Sequence, residues 1–410
     1  MKMFTLLKLL IGIAAVDHCL GNALQSPNET ALTGICATHM FPGKCDLFNE
    51  DGSIDVYRNV RLVWFDKTPE IDYIPTAIFV KFPRLRELRL SNGIRTIDKE
   101  VFTNATELLT LELPGNNLKV LPDEVFSRAT SLRQIHLCSN EITVIKSGAF
   151  SQLPNLVMLD LSSNFIETIR DDTFSYIKSL QVLDLNNNEI STIDENAFKM
   201  PNLQLLLLSK NKIQILSDKM FAVAPRLSYL ELISTNLQQV NNALKNLPEL
   251  LTLHLNDNDQ VEDLYLQDFI QLPQLQGLSL RNTSVKLSND LTNMTSSSHL
   301  LHLDLSHNNI TDANIFYKLT AFTELQQVNL EHNAMAQLEG LELIGDHFKS
   351  LTEIGIFGSE QLRTSSSIAG RTDFVIDSEL ATKILVKSWH NTTEEQKFIE
   401  YANEVIAQEG

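Results

Sequence analysis

Apolar residues along this chain recur in a fixed pattern. In "LVMLDLSSNFIETIRDDTF", Leu156 to Phe174, the residues Leu156, Leu159 and Leu161 are spaced as a short strand with one buried face. Ile166, Ile169 and Phe174 then punctuate a return segment. The pattern L-x-x-L-x-L-x-x-N-x-L/I-x-x-L/I-x-x-x-x-F starts at Leu108, Leu132, Leu156 and Leu180, each 24 residues after the last, and again at Leu203. Looser copies start at Leu85, Leu227, Leu250, Leu275, Leu300, Leu325 and Leu351, and a rougher first copy at Val60. A unit this short cannot bury an apolar face alone, so neighbouring units must stack into one continuous core.

Asn164 shares the apolar side of this pattern, where an amide is costly unless bonded. Where the strand ends and the chain turns inward, backbone groups lose their ladder partners. An asparagine offers two donors and an acceptor to satisfy them. Asn116, Asn140, Asn164, Asn188, Asn211, Asn258, Asn308 and Asn333 are expected to form such a ladder, with Thr235 and Thr283 substituting in two copies. Phe79, Phe102, Phe126, Phe150, Phe174, Phe198, Phe221 and Phe269 recur where the chain returns and are expected to stack as a spine. All of these residues are scaffold.

These motifs resemble the leucine-rich repeat of the extracellular type, over roughly residues 60–357. The resemblance implies an α/β solenoid, a horseshoe with a parallel β-sheet on its concave face. The expected organisation is a signal peptide at 1–23, an N-terminal cap with a disulfide at 24–59, the solenoid at 60–375 and a C-terminal helical cap at 376–410.

The chain ends carry the evidence for secretion. A basic start, an apolar run around Leu6–Val16 and small residues near Gly21–Ala23 read as a signal peptide, with an uncleaved anchor as the alternative. No second stretch has the length to span a bilayer. Six N-x-S/T sequons, at Asn28, Asn104, Asn282, Asn293, Asn309 and Asn391, agree with an extracellular glycoprotein. Of four cysteines, Cys19 leaves with the signal peptide. Cys36 and Cys45, just ahead of the first repeat, are expected to close the open end of the solenoid as a disulfide. That leaves Cys138 either as an unpaired thiol or as an intermolecular partner. At the other end, Phe398, Ile399, Ala402, Val405 and Ile406 form an apolar helical stripe, read as a cap over the last repeat or as a short dimerising helix.

The net charge of −18 argues against nucleic acid and anionic membrane surfaces as partners. No glycine-rich phosphate loop, G-x-S-x-G, H-E-x-x-H or C-x-x-C is present, so no enzyme, cofactor or metal site is expected. The third, fifth and seventh positions of each strand segment face solvent on the concave side. Position five gives Glu112, Asp160, Asp184, Glu231 and Asp304, ordinary for this repeat. Met158 and Val182, then Leu205 with Leu207, then Tyr229 with Ile233 depart from polarity on successive strands. Contiguous exposed apolar surface marks a contact site, so these six are the candidate protein-binding residues. The alternative is that "LQLLLL" carries extra leucines covered by their neighbours.

The stretch "VRLVWFDKTPEIDYIPTAIFVKFPRLRELRLSNGIRTIDKEVF" resembles the start of dipteran secreted leucine-rich-repeat proteins, including the mosquito immune proteins. It has an irregular first strand, an "IP" turn and a shortened repeat, with Ile94 four residues after Leu90. The resemblance implies haemolymph pattern recognition or scaffolding of complement-like proteins. The cysteine pair and long coiled coil of the longer members are not found in this sequence, so a coil-less member, or a generic secreted repeat protein, is expected. The expected function is a secreted protein that binds protein or pathogen-surface ligands in insect humoral immunity. A receptor-like adhesion or extracellular-matrix ectodomain without enzymatic activity is the alternative.

Overall fold

Each repeat contributes one short strand, and successive strands pair in parallel because the chain always returns to the same side before the next begins. The structure, a computed structural model, describes residues 31–33, 60–65, 72–91, 93–240, 242–287, 298–340, 343–344 and 346–356. The segments assigned to the signal peptide and the helical cap lie outside these residues, as do Cys36 and Cys45. The chain divides into two compact units, one reaching Leu207 and one beginning at Leu208.

In the first unit the parallel sheet runs through Ala31–Thr33, Leu62–Phe65, Glu87–Leu90, Thr110–Glu112, Gln134–His136, Met158–Asp160, Val182–Asp184 and Leu205–Leu207. Its register is uniform. Leu88, Leu111, Ile135, Leu159, Leu183 and Leu206 lie opposite one another and are all fully buried. Each such side chain contributes about 1.5–3 kcal/mol by leaving water. The return segments are mostly turns, with one helical turn at Ile78–Lys81 and a 3-10 turn at Lys99–Asn104. Two small ribbons also form, Val120–Leu121 on Val144–Ile145 and Thr168–Ile169 on Thr192–Ile193.

The second unit repeats the plan with Tyr229–Glu231, Thr252–His254, Gly277–Ser279, His302–Asp304, Gln327–Asn329 and Glu353–Gly355. Leu230, Leu253, Leu278, Leu303, Val328 and Ile354 form its buried row. Its return segments hold the short turns Ala243–Asn246, Leu266–Phe269 and Ile315–Lys318.

The asparagine ladder is present as expected. Asn164 Oδ1 accepts from Ile142 N of the preceding turn at 3.0 Å. Its Nδ2 donates to Leu137 O of that turn and to Leu161 O and Ser162 O of its own. Asn140, Asn188, Asn258 and Asn308 repeat the cross-turn donation. Thr235 and Thr283 reach only the carbonyl three residues back and the next asparagine, which is the reduced bonding expected of a hydroxyl. The Phe spine is present too, with ring centroids 5.8 to 6.1 Å apart from Phe79 through Phe174. Phe316 and Phe348 extend the same device in the second unit, at 6.0 Å edge to face.

The turn into each ladder position has no sequence signature. The residue just before it adopts positive φ in copy after copy: Ser139, Ser163, Asn187, Lys210, Ser234, Asp257, Asn282, His307 and His332. Only Gly115, in the copy ahead of these, is the residue type that takes this region freely. Its N–H, like those of Ser139, Ser163 and His307, is turned to the carbonyl of the next repeat's seventh position, and that bond holds the conformation.

Candidate ligand-binding face

The sheet leaves the third, fifth and seventh positions of each repeat on its outer face, away from the core row. The acids at position five are held for structural reasons. The seventh-position N–H follows the strand end and needs an acceptor. Asp160 Oδ1 accepts from both Ser162 N and Ser162 Oγ, Asp184 Oδ1 from Asn186 N, and Asp304 Oδ1 from Ser306 N. Asn329 Oδ1 does the same for Glu331 N. Where position five does not serve, the previous repeat's seventh residue does: Ser209 Oγ accepts from Ile233 N, and Asn256 Oδ1 from Arg281 N. The three aspartates at position five therefore complete the backbone bonding that buried N–H groups require.

Of the six candidate contact residues, four are not open. Met158, Val182, Leu205 and Leu207 have 3%, 7%, 0% and 3% of their surface exposed. The expectation of an exposed aliphatic patch is corrected here. Strands of a sheet sit about 4.8 Å apart, and Met158, Val182 and Leu205 stand in direct register, so each flank meets another side chain. The alternative reading of "LQLLLL", extra leucines covered by neighbours, describes these positions. Tyr229 and Ile233 belong to the second unit and are half-buried. The Tyr229 ring lies 5.4 Å from His254, and its hydroxyl donates to Glu231 Oε2 at 3.2 Å. Ser209 Oγ donates to the other Glu231 oxygen at 2.6 Å. Tyr229 is thus an aromatic ring held at both ends with part of its surface still in water. His254 was missed in the sequence. The only signal for it was its register opposite Glu231, two residues on from Tyr229, on the paired strand.

Cys138 departs from expectation more sharply. It is fully buried and disulfide-bonded, not a free thiol. Its seventh position faces outward, where a bonding partner can reach it, and the chain's three other cysteines lie outside the described residues.

Of the six sequon asparagines, Asn104 and Asn309 are exposed and Asn282 is half-buried, while Asn28, Asn293 and Asn391 fall outside the described residues. Arg89, between Trp64 at 5.4 Å and Glu112 at 2.9 Å, ties three neighbouring strands of the first unit together. A groove of about 630 Å³ opens away from the sheet face, lined by Arg95, Ile97, Lys119, Val120, Pro122 and Glu141 among others. There a hydrogen bond from Asn117 Nδ2, and then Lys119, hold the Glu141 carboxyl below its ordinary value. Among the described residues no group of three acidic, histidine or cysteine side chains is placed to hold a metal, and no helix is long and apolar enough to cross a membrane.

A family model described as "Leucine rich repeat" matches residues 83–137, 130–190, 154–212 and 178–237, and a second one matches 299–319. Residues 83–237 and 299–319 therefore carry leucine-rich repeats, and the chain has the leucine-rich repeat fold. This agrees with the parallel-sheet solenoid described above. No curated protein matches it in sequence. Among solved structures, Drosophila Toll in complex with Spatzle is 24% identical over 73% of this chain and 41% of that one, with a TM-score of 0.60. The leucine-rich repeat domain of mosquito APL1 is 23% identical over 74% of this chain and 81% of that one, at 0.52. A chain of the LRIM1/APL1C complex is 22% identical over 78% and 61%, at 0.54. The repeat protein spans 41% to 52% of the Toll and TLR13 chains it resembles. At these identities the likeness is one of fold.

Proposed function

We propose that this leucine-rich repeat protein is secreted and binds a protein or pathogen-surface ligand on the open face of its sheet, in insect humoral innate immunity. The half-buried Tyr229, its ring tilted against His254 beside Ile233, is the observation that carries this reading. A tyrosine already fixed by a hydrogen bond and a ring contact loses little freedom on binding, which suits an anchor. Toll and LRIM1, which share the fold, are each captured in a complex with another protein. TLR13 is captured with RNA, but a net charge of −18 opposes a polyphosphate ligand. The matching families carry no catalytic chemistry, so binding alone is proposed. The exposed Asn104 and Asn309, and half-buried Asn282, are proposed to carry glycans.

The test is capture from the animal's extracellular fluid with wild-type protein and Tyr229→Ala, followed by mass spectrometry and a melting curve. Loss of a specific ligand with an unchanged melting curve supports the reading. A product held in membranes would favour the adhesion-ectodomain alternative instead.

A further inference from the structure

Cys138 is disulfide-bonded within a single chain, and the other cysteines of that chain are Cys19, Cys36 and Cys45. It sits at the seventh position on the outer face of the first unit's sheet, inside a sealed area. His136, Asp160 and Asp184, at position five of three successive strands, are 4%, 0% and 0% exposed. Cys138, Met158, Val182, Leu205 and Leu207 are buried with them. Register neighbours do not account for this by themselves. Glu112 is flanked by Arg89 and His136 and is still half-buried, while Gln134 is flanked by Thr110 and Met158 and is exposed. Neighbours in register cover the flanks of a side chain and leave its outward end free. The elements described in the first unit are the strands, with the turns and ribbons that link them, and none of these overlies the face.

We infer that Cys138 is bonded to Cys45, and that the segment between Thr33 and Val60 docks across this face. Reach selects Cys45. Thr33 pairs into the sheet in register with Trp64, Arg89, Glu112 and His136, four strand spacings from the strand that leads to Cys138. Four spacings are about 19 Å. Cys36 follows Thr33 by three residues, about 11 Å at full stretch, and a disulfide adds at most about 7 Å between Cα atoms. It falls short, the more so because Cys138 lies two residues beyond His136. Cys45 follows Thr33 by twelve residues, about 40 Å of extended chain, and precedes Val60 by fifteen, about 50 Å. Cys19 departs with the proposed signal peptide. Composition fits as well. In "ATHMFPGK", residues 37–44, Met40 and Phe41 match the apolar Met158, Val182, Leu205 and Leu207, and His39 and Lys44 match Asp160 and Asp184 in charge. Forming the bond removes one proton and one electron from each thiol. A protein disulfide of the secretory pathway accepts them and is left as a dithiol. The inference rests on the secretion proposed above and not on Tyr229, and it replaces the Cys36–Cys45 loop expected from the sequence. A face occupied by its own chain is closed to a ligand, and Tyr229 and His254 of the second unit keep that role.

The experiment is peptide mapping, without reduction, of the full chain recovered from culture medium. Trypsin cuts after Lys44 and so separates Cys36 from Cys45. The peptide that starts at Cys45 is expected to be linked to the one that starts at Gln134, after Arg133. A link from Cys138 to Cys36, to Cys19 or to a second chain, or a link between Cys36 and Cys45, would overturn the inference. Met158 reports the cover, because peroxide oxidises a thioether only where solvent reaches it. In wild type it should react as slowly as Met200, which is buried in the interior of the same unit. In a Met40→Glu, Phe41→Glu, Cys45→Ser variant, Met158 should oxidise about tenfold faster or more, with Met200 unchanged. Equally slow oxidation of Met158 in both proteins would overturn the docking of this segment. Faster oxidation of Met200 as well would mean that the variant has unfolded, and the wild-type map then decides.

Discussion

Replacing Asn164 with alanine removes four hydrogen bonds from the interior of the first unit. Ile142 N loses its acceptor at 3.0 Å, and Leu137 O, Leu161 O and Ser162 O lose the amide that they share. Asn164 is 4% exposed, so water does not replace these bonds without entering the core. The stranded N–H is the expensive group, because carbonyls tolerate partial satisfaction better. At about 1–3 kcal/mol for a buried orphan, plus a smaller term for Leu137 O, the cost should reach about 2–4 kcal/mol. Asn164→Thr should cost less, about 1–2 kcal/mol, because Thr235 and Thr283 keep the bond to the carbonyl three residues back in the native chain. Chemical denaturation of wild type and both variants, compared at fixed m-value, reads the difference. A loss under about 0.5 kcal/mol for Asn164→Ala, or a larger loss for the threonine variant, would refute the ladder as the source of stability.

Leu159→Ala, in the fully buried row, should destabilise by about 2–5 kcal/mol through transfer and cavity terms, measured by the same denaturation. Lys318 Nζ, 2.5 Å from Asp312 Oδ2, holds the Asp312 carboxyl below its ordinary value. A lowered native value contributes stability at neutral pH that disappears as the pH falls from about 4 through that value. Asp312→Asn should therefore flatten the acid limb of the stability profile, and an unchanged limb would remove the pair from the account. Peptide mapping without reduction should recover Cys138 in a disulfide and not as a free thiol. Alkylation of Cys138 in the unreduced, unfolded protein would contradict it.

The scaffold was legible because its signals are local. Period, ladder asparagine and spine phenylalanine each recur at fixed offsets, so one copy interprets the next. Exposure on the sheet face is not local. Whether Leu205 meets water depends on Val182, placed 23 residues earlier and opposite it in register. Read one repeat at a time, Leu205 looks unpaired, which is why the aliphatic patch was expected to be open. Cys138 was misjudged as well, because a single repeat carries no sign of whether its cysteine is bonded. The positive-φ turn before the ladder escaped because Ser163, Lys210 and His307 are held there by backbone bonds to the next repeat, without a marking glycine.

The central claim, a ligand on the sheet face, is tested most directly by hydroxyl-radical footprinting of the protein with and without its captured ligand. Tyr229, Ile233 and His254 should become protected, while Tyr73, Tyr176 and Tyr317, exposed in the return segments at 58%, 58% and 40%, should react as before. Protection of those three tyrosines with unchanged labelling at Tyr229 would place the ligand on the other side of the repeats and contradict the account.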